Sequence, residues 1–263
     1  MTAAPSEADL LACAEAAARA AGRHALDNAH RRDSVAQRFA HDVKLHLDLE
    51  CQRVAEQVIR NAYPGHRVLG EEDGTLEEDG GALWIVDPID GTVNFQHGLP
   101  LWCSSVAVRW KGEVVAGAVY LPAMKECFTA SRCGPACCNG EAIRVSDTAR
   151  LEDALVLTGL SKRVRENRAG ADLVREVAQR VQKVRILGAA AVDICYVACG
   201  RADGYFESSI YLWDVAAGGL IATRAGGRAE VIEQLSPVHC RYLCTNGRIH
   251  EPLKNAVLQH FTA

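Results

Sequence analysis

The chain has 263 residues and lacks any apolar run of about 18 residues, so no membrane-spanning helix is expected. It has no basic leader before its first alanines, only Glu7 and Asp9, which does not fit a signal peptide. It carries no basic excess: the formal net charge is −4, which offers no footprint for nucleic acid. The most basic fragments, Arg31-Arg32 and residues 162–168, are short and mixed, as solvated faces are. The eleven cysteines are odd in number and include no Cys-x-x-Cys pair. A secreted disulfide framework is therefore not expected, and reduced thiols in a cytoplasm fit better. Cys195 with Cys199, and Cys240 with Cys244, read as buried small core residues rather than metal ligands. Cys133, Cys137 and Cys138 fall in a loop, are expected to be exposed, and are candidates for a redox switch. There is no internal repeat and no long linker.

What is present is an ordinary globular composition, 49% hydrophobic and 24% charged. The chain is organised around residues 84–95, Trp-Ile-Val-Asp-Pro-Ile-Asp-Gly-Thr-Val-Asn-Phe. An apolar strand, Leu83 to Val86, leads into Asp87 and Asp90 around Pro88 and Ile89, then Gly91-Thr92. Pro88 stiffens this segment, which is expected to be a turn holding both carboxylates close. Two acids so held repel, and a proton or a cation must relieve them. Further acids at Glu71-Glu72 and Asp214 favour a divalent metal. A donor set of oxygens without His or Cys selects hard ions, magnesium above all. Gly91-Thr92 offers backbone N–H groups and a hydroxyl suited to a phosphate oxygen. A plain strand followed by a polar turn would give the same six residues.

Taken in order, residues 6–28 read as an amphipathic, alanine-rich helix started by Ser6 and Asp9. Residues 29–45 read as a loop or short hairpin, and residues 47–61 as a second helix closed by Tyr63-Pro64-Gly65. Asp48 at its start could serve only the helix dipole. Arg67 to Leu69 is a strand that delivers Glu71, and residues 74–81 a surface loop. Strands are expected at 104–110, 114–120 and 126–130, with a hairpin turn at Lys111-Gly112-Glu113 and a tight turn at Asn139-Gly140. His97 reads as structural. The second half alternates: strand 155–158, helix 171–182, strand 184–187, then a helix opened by Gly188-Ala189-Ala190 and running to about Cys199. Those small residues could leave amides free for an anion or could simply pack closely. Gly204 to Glu207 is a strand ending in an acid, and Asp214 starts a small-residue helix to Ala225, where it could be a plain N-cap. Short strands near 229–232 and 241–244 and a last helix to about Phe261 close the chain.

Gly70-Glu71-Glu72, the Asp87-to-Phe95 string, Asn139-Gly140, Gly188-Ala189-Ala190-Ala191 and Trp213-Asp214-Val215-Ala216-Ala217-Gly218 stand in one order. Together they resemble the inositol monophosphatase family of magnesium-dependent, lithium-sensitive sugar phosphatases, over nearly the whole chain. The resemblance implies an α+β fold, a layered α/β/α/β/α sandwich. Its halves, 1–150 with the helices and a largely antiparallel sheet and 151–263 with the α/β remainder, form one compact unit with the site at their junction. It implies that Glu71, Asp87 and the Ile89 carbonyl hold one magnesium ion, that Asp87, Asp90 and Asp214 hold a second, and that a third lies near Glu71 in some members. It implies that Asp48 and Thr92 orient the attacking water. The family motif Asp-x-x-Thr-x-x-Asp is here Asp42 to Asp48, with Leu45 in place of Thr. It implies that Gly91, Thr92, Gly188, Ala189, Ala190 and Glu207 contact the substrate. The loop at Cys133-Gly134-Pro135-Ala136 departs from the family's Gly-x-Gly-Ala.

The function so implied is hydrolysis of inositol monophosphate, a small phosphorylated polyol, in the cytoplasm, by a homodimer without nucleic-acid or membrane partners. Histidinol phosphate or another sugar or nucleotide phosphate is the alternative substrate. An inactive metal- or phosphate-binding regulatory module is the non-enzymatic alternative, and the complete set of acids argues against it.

Overall fold

A computed structural model describes residues 5–38, 43–71, 81–159 and 168–259. Asp42, Glu72, residues 74–80 of the expected loop, basic residues 162–167 and the expected helix end at Phe261 lie outside them.

Helix α1 (Glu7–Asp27) is started by the Ser6 hydroxyl, which accepts the Asp9 N–H at 3.1 Å. Its buried stripe is Ala14, Ala17, Ala18, Ala21 and Ala25, the three-to-four spacing of one helical face. Methyl-sized side chains let the helix lie close on the sheet beneath. A short antiparallel hairpin follows, β1 (Val35–Arg38) with β2 (Val43–Leu45). Helix α2 (His46–Ala62) packs beside α1.

The first sheet then assembles from β3 (Arg67–Gly70), β4 (Ala82–Asp90), β5 (Cys103–Trp110), β6 (Glu113–Leu121), β7 (Glu126–Ser131), β8 (Cys137–Cys138) and β9 (Glu141–Ala142), in that spatial order. Only β3 and β4 are parallel; every later pair is antiparallel. Positive φ at Lys111 and Gly112, and again at Asn139 and Gly140, makes the two tight hairpins. Short helix α3 (Thr92–Gln96) interrupts the run after β4.

The second half supplies β10 (Leu155–Thr158), α4 (Arg168–Arg180), β11 (Lys183–Arg185), α5 (Ala190–Ala198), β12 (Gly204–Tyr211), α6 (Leu212–Arg224), β13 (Arg228–Ser236), β14 (His239–Thr245) and α7 (His250–Leu258). Its sheet runs β11-β10-β12-β14-β13, parallel on the β11 side and antiparallel on the β13 side. The layers stack in one direction. Helices α1 and α2 cover one face of the first sheet, α5 and α6 lie between the sheets, and α4 and α7 cover the outer face of the second. This is the expected α/β/α/β/α sandwich. Three apolar clusters match these interfaces: α1/α2 on the first sheet, α5/α6 between the sheets, and α4/α7 outside the second. Fully buried anchors such as Ile59 and Leu69 each contribute about 1.5–3 kcal/mol.

Several boundaries differ from the sequence reading. Residues 87–90 are not a turn but the last stretch of β4. Helix α6 begins at Leu212, so Asp214 is its third residue rather than its first. Strands β12, β13 and β14 run longer than expected. All eleven cysteines are free; Cys133 is exposed as expected, whereas Cys137 and Cys138 are half-buried on β8. No helix among the described residues is long and apolar enough to cross a membrane.

Candidate active site

The site begins with a defect in β4. Asp87 pairs with Ser105 and Asp90 with Cys103, so three steps on β4 span two on β5. One extra residue is a β-bulge, and Pro88, without an N–H to give the ladder, sits inside it. In a regular strand, residues three apart face opposite ways. The bulge instead turns Asp87 and Asp90 to the same side. The Ser104 hydroxyl locks it by donating to the Pro88 carbonyl at 2.6 Å.

Helix α6 brings the third acid. Asp214 Oδ2 accepts the Tyr211 N–H at 3.0 Å, holding its side chain at the helix start. Carboxylate oxygens of Asp87, Asp90 and Asp214 then lie within 4.8 Å of one another. Glu71, just beyond β3, donates its N–H to the Val86 carbonyl at 3.1 Å and adds its charge to Asp87 and Asp214. Burial first, then repulsion from Glu71, Asp90 and Asp214, pushes the Asp87 carboxyl well above the usual range. Burial, then Asp90 and Glu71, does the same to Asp214. Burial raises Asp90 to about 6, against the backbone N–H groups of Ala191 and Ala190, which favour its charged form. Those amides donate to Asp90 at 2.7 and 3.3 Å. The first turn of α5 therefore spends its free N–H groups on an acid of the other half.

A hard cation fits this place. Asp87 Oδ1 is buried without a hydrogen-bond partner, and few such atoms occur among the described residues. The acid spacing approaches the roughly 4 Å between opposite oxygens of an ion that binds at about 2.1 Å. The Ile89 carbonyl accepts the Thr92 hydroxyl at 2.9 Å and keeps a second lone pair.

Two glycine turns face each other beside the acids. Gly91 and Gly188 have φ of +86° and +84°. A Cβ on Gly91 would stand 3.0 Å from both the Ala189 Cβ and the Leu101 carbonyl. Asn94 fastens the two turns with one amide nitrogen, which donates at 2.7 Å to the carbonyls of both Leu101 and Leu187. Gly188, Ala189 and Ala190 line a cavity of about 280 Å³ that also meets Asp90 and Asp214.

Glu207 lines the same cavity and is not a solvated strand end. A second bulge, where Glu207 pairs with Tyr242 but Ile210 with Cys240, turns Glu207 and Ile210 to one side. The Tyr205 hydroxyl donates to Glu207, and burial holds the Glu207 carboxyl up at about 7 despite that bond. Asp48 is buried at the third position of α2, where Oδ2 accepts the Leu45 N–H at 2.6 Å. This bond is more specific than the helix-dipole role the sequence offered as the plain alternative, and it fixes the carboxylate. His97 is exposed, away from these contacts.

The sequence reading did not single out Asp193. It lines the cavity from α5 and is fully buried. Its signal was there to be found: one acid in an otherwise apolar helix, Ala-Ala-Val-Asp-Ile-Cys-Tyr-Val-Ala.

A family model described as the inositol monophosphatase family matches residues 6–261. The inositol-1-monophosphatase of Mesorhizobium japonicum is 43% identical over 185 residues, covering 68% of this chain and 69% of its own. The Nus factor SuhB of Xylella fastidiosa is 35% identical over 254 residues, 92% of each chain. The structure of an inositol monophosphatase from Anabaena superposes with a TM-score of 0.85 at 34% identity, covering 96% of each chain.

Proposed function

The chain belongs to the inositol monophosphatase family, and from the site it carries we propose that it is a magnesium-dependent phosphomonoesterase hydrolysing inositol monophosphate. One observation carries this reading: three acids from two halves of the chain converge, Asp87 and Asp90 buried and Asp214 half-buried, with no basic side chain among their hydrogen-bond partners in the described residues. Such a cluster is costly unless a cation completes it.

Glu71, Asp87 and the Ile89 carbonyl would hold one ion, and Asp87, Asp90 and Asp214 a second. When bound, the ions supply Lewis acidity that makes a water nucleophilic near neutral pH and offsets charge on the phosphoryl oxygens. The chain's own residues do the rest. The Thr92 hydroxyl donates to the Ile89 carbonyl, so its lone pairs are free to accept a proton of the attacking water. Asp48 is a fixed, buried acceptor for the other proton and orients the water for in-line attack. The amides at Gly91-Thr92 and the turn at Gly188 to Ala190 seat the phosphate. Glu207 takes hydroxyls of the departing polyol. The eleven free thiols agree with a cytoplasmic setting, and the family resemblance with a homodimer.

The test is phosphate release from inositol 1-phosphate, histidinol phosphate, fructose 1,6-bisphosphate, 2′-AMP and adenosine 3′,5′-bisphosphate, with magnesium, with chelator and with lithium. Inositol 1-phosphate is expected to be preferred, with release abolished by chelator and weakened by lithium. Preference for histidinol phosphate would move the substrate and keep the chemistry. No release from any ester, with magnesium binding intact by calorimetry, would leave the regulatory reading, to which the Nus factor name of the Xylella relative belongs.

A further inference from the structure

The cavity beside the three acids is more acidic than a phosphate site requires. Glu207 and Asp193 stand in its wall together with Asp90 and Asp214, and no described residue lining it is basic. Asp193 is 1% exposed, and its Oδ1 is buried with no hydrogen-bond partner. An acid left in that state costs free energy in the empty protein, and a ligand that donates to it recovers that cost. Packing does not require it, since every other residue from Ala190 to Ala198 is apolar or aromatic. Gly159 also lines the cavity and makes room for Glu207: an added Cβ there would stand 2.2 Å from a Glu207 oxygen, so only glycine leaves that carboxyl in place.

We propose that Asp193 is a specificity-determining residue which, with Glu207, reads hydrogen-bond donors on the alcohol side of the phosphate ester, hydroxyl or ammonium groups alike. The inference rests on the phosphatase reading above and deepens it. With the phosphate seated on the Gly188 to Ala190 turn of the same cavity, it is the leaving alcohol that meets these two acids. An alcohol with donors on neighbouring carbons satisfies both; a flat aryl alcohol satisfies neither. A second phosphate on the leaving side meets two acids and is disfavoured.

The experiment compares kcat/KM for inositol 1-phosphate, histidinol phosphate and 4-nitrophenyl phosphate in the wild type, Asp193→Ala and Asp193→Asn, with saturating magnesium. The ratio of each donor-bearing ester to 4-nitrophenyl phosphate is the quantity read. In Asp193→Ala this ratio is expected to fall about 10-fold or more, carried mainly by KM. Asp193→Asn keeps the side-chain volume and carries the test should the alanine variant fail to fold; with a neutral acceptor of roughly half the strength, its ratio falls about threefold. The ester whose ratio falls names the source: the inositol ester a hydroxyl reader, the histidinol ester an ammonium reader. Equal losses on all three esters, or no losses, would make Asp193 a packing residue and overturn the inference alone. A wild type that releases phosphate from none of them overturns the phosphatase reading as well.

Discussion

Two groups of acids in this molecule share a chemistry and have opposite surroundings. At the end of the second sheet, Glu230 is ringed by bases. His250 Nε2 lies 2.8 Å from it, Arg228 Nη2 3.0 Å, and the Lys254 ammonium closes the ring. Lys254 first, with His250 and Arg228, draws its carboxyl down to about 2. Between the sheets, Asp87, Asp90 and Asp214 have one another, backbone amides and a thiol, and their carboxyls are driven up. The fold completes the first group from its own side chains. It leaves the second incomplete, so that something from outside must finish it. Burial together with the want of a basic partner separates the second group from the first.

The contrast should break first in activity. Asp90→Asn or Asp214→Asn is expected to lower kcat on the order of 10²–10³-fold, the scale of losing one electrostatic stabiliser in a closed site. Glu230→Gln should leave turnover close to wild type. Near-normal turnover of either aspartate variant at saturating magnesium would refute the assignment of those acids.

Next comes the response to pH and cation. A carboxyl whose folded pKa is raised binds its proton more tightly in the native state. The metal-free protein therefore keeps its stability below the unfolded value near 4 and loses it as pH rises through about 6, the folded value of Asp90, with the raised carboxyls of Asp87 and Asp214 acting in the same direction. Magnesium at about 100-fold over its dissociation constant should restore about 2.7 kcal/mol, or about 5–10 °C in Tm, and the gain at fixed magnesium should grow as pH rises through about 6. Scanning calorimetry in chelator and in magnesium decides it; a gain independent of pH would mean these acids are not the ligands.

Asn94 is a neutral residue beside the same acids. Asn94→Ala removes two 2.7 Å bonds and leaves two carbonyls unpaired, for an expected loss of about 2 kcal/mol with or without magnesium. Denaturant titration with and without cation checks this, and a loss seen only with cation would place Asn94 in the cation's retinue.

The smallest effect belongs to Glu230. Its folded pKa is depressed, so its contribution is present above the unfolded value near 4.5 and is lost as pH falls towards 2. Partial exposure screens it, so Glu230→Gln should cost about 1 kcal/mol at pH 7, and the two unfolding curves should converge on acidification. Parallel curves down to pH 2 would show that its partners contribute nothing.

Motif order made the layers legible and singled out Asp87, Asp90 and Asp214, which the fold brings together. Local geometry was less so. Asp87 and Asp90 read as a turn because Pro and Gly punctuate turns, yet they sit in a strand, and only pairing with Ser105 and Cys103 discloses the bulge. The same holds for Glu207, whose direction depends on a bulge opposite β14. Strand β13 was read short because its nine residues are mostly exposed or half-exposed and show no clean alternation. Asp193 escaped because burial without a partner is a tertiary fact, although its place in an apolar helix was visible.

The bond from the Ala191 amide to Asp90 joins residues 101 positions apart. During synthesis, at roughly 5–20 residues per second, Asp90 waits about 5–20 s for that amide to be made, and longer for Asp214. A nascent chain carrying Asp87 and Asp90 alone presents no finished cradle. Capture of the ion proposed above would thus be a late event, waiting on the Ala191 amide and Asp214.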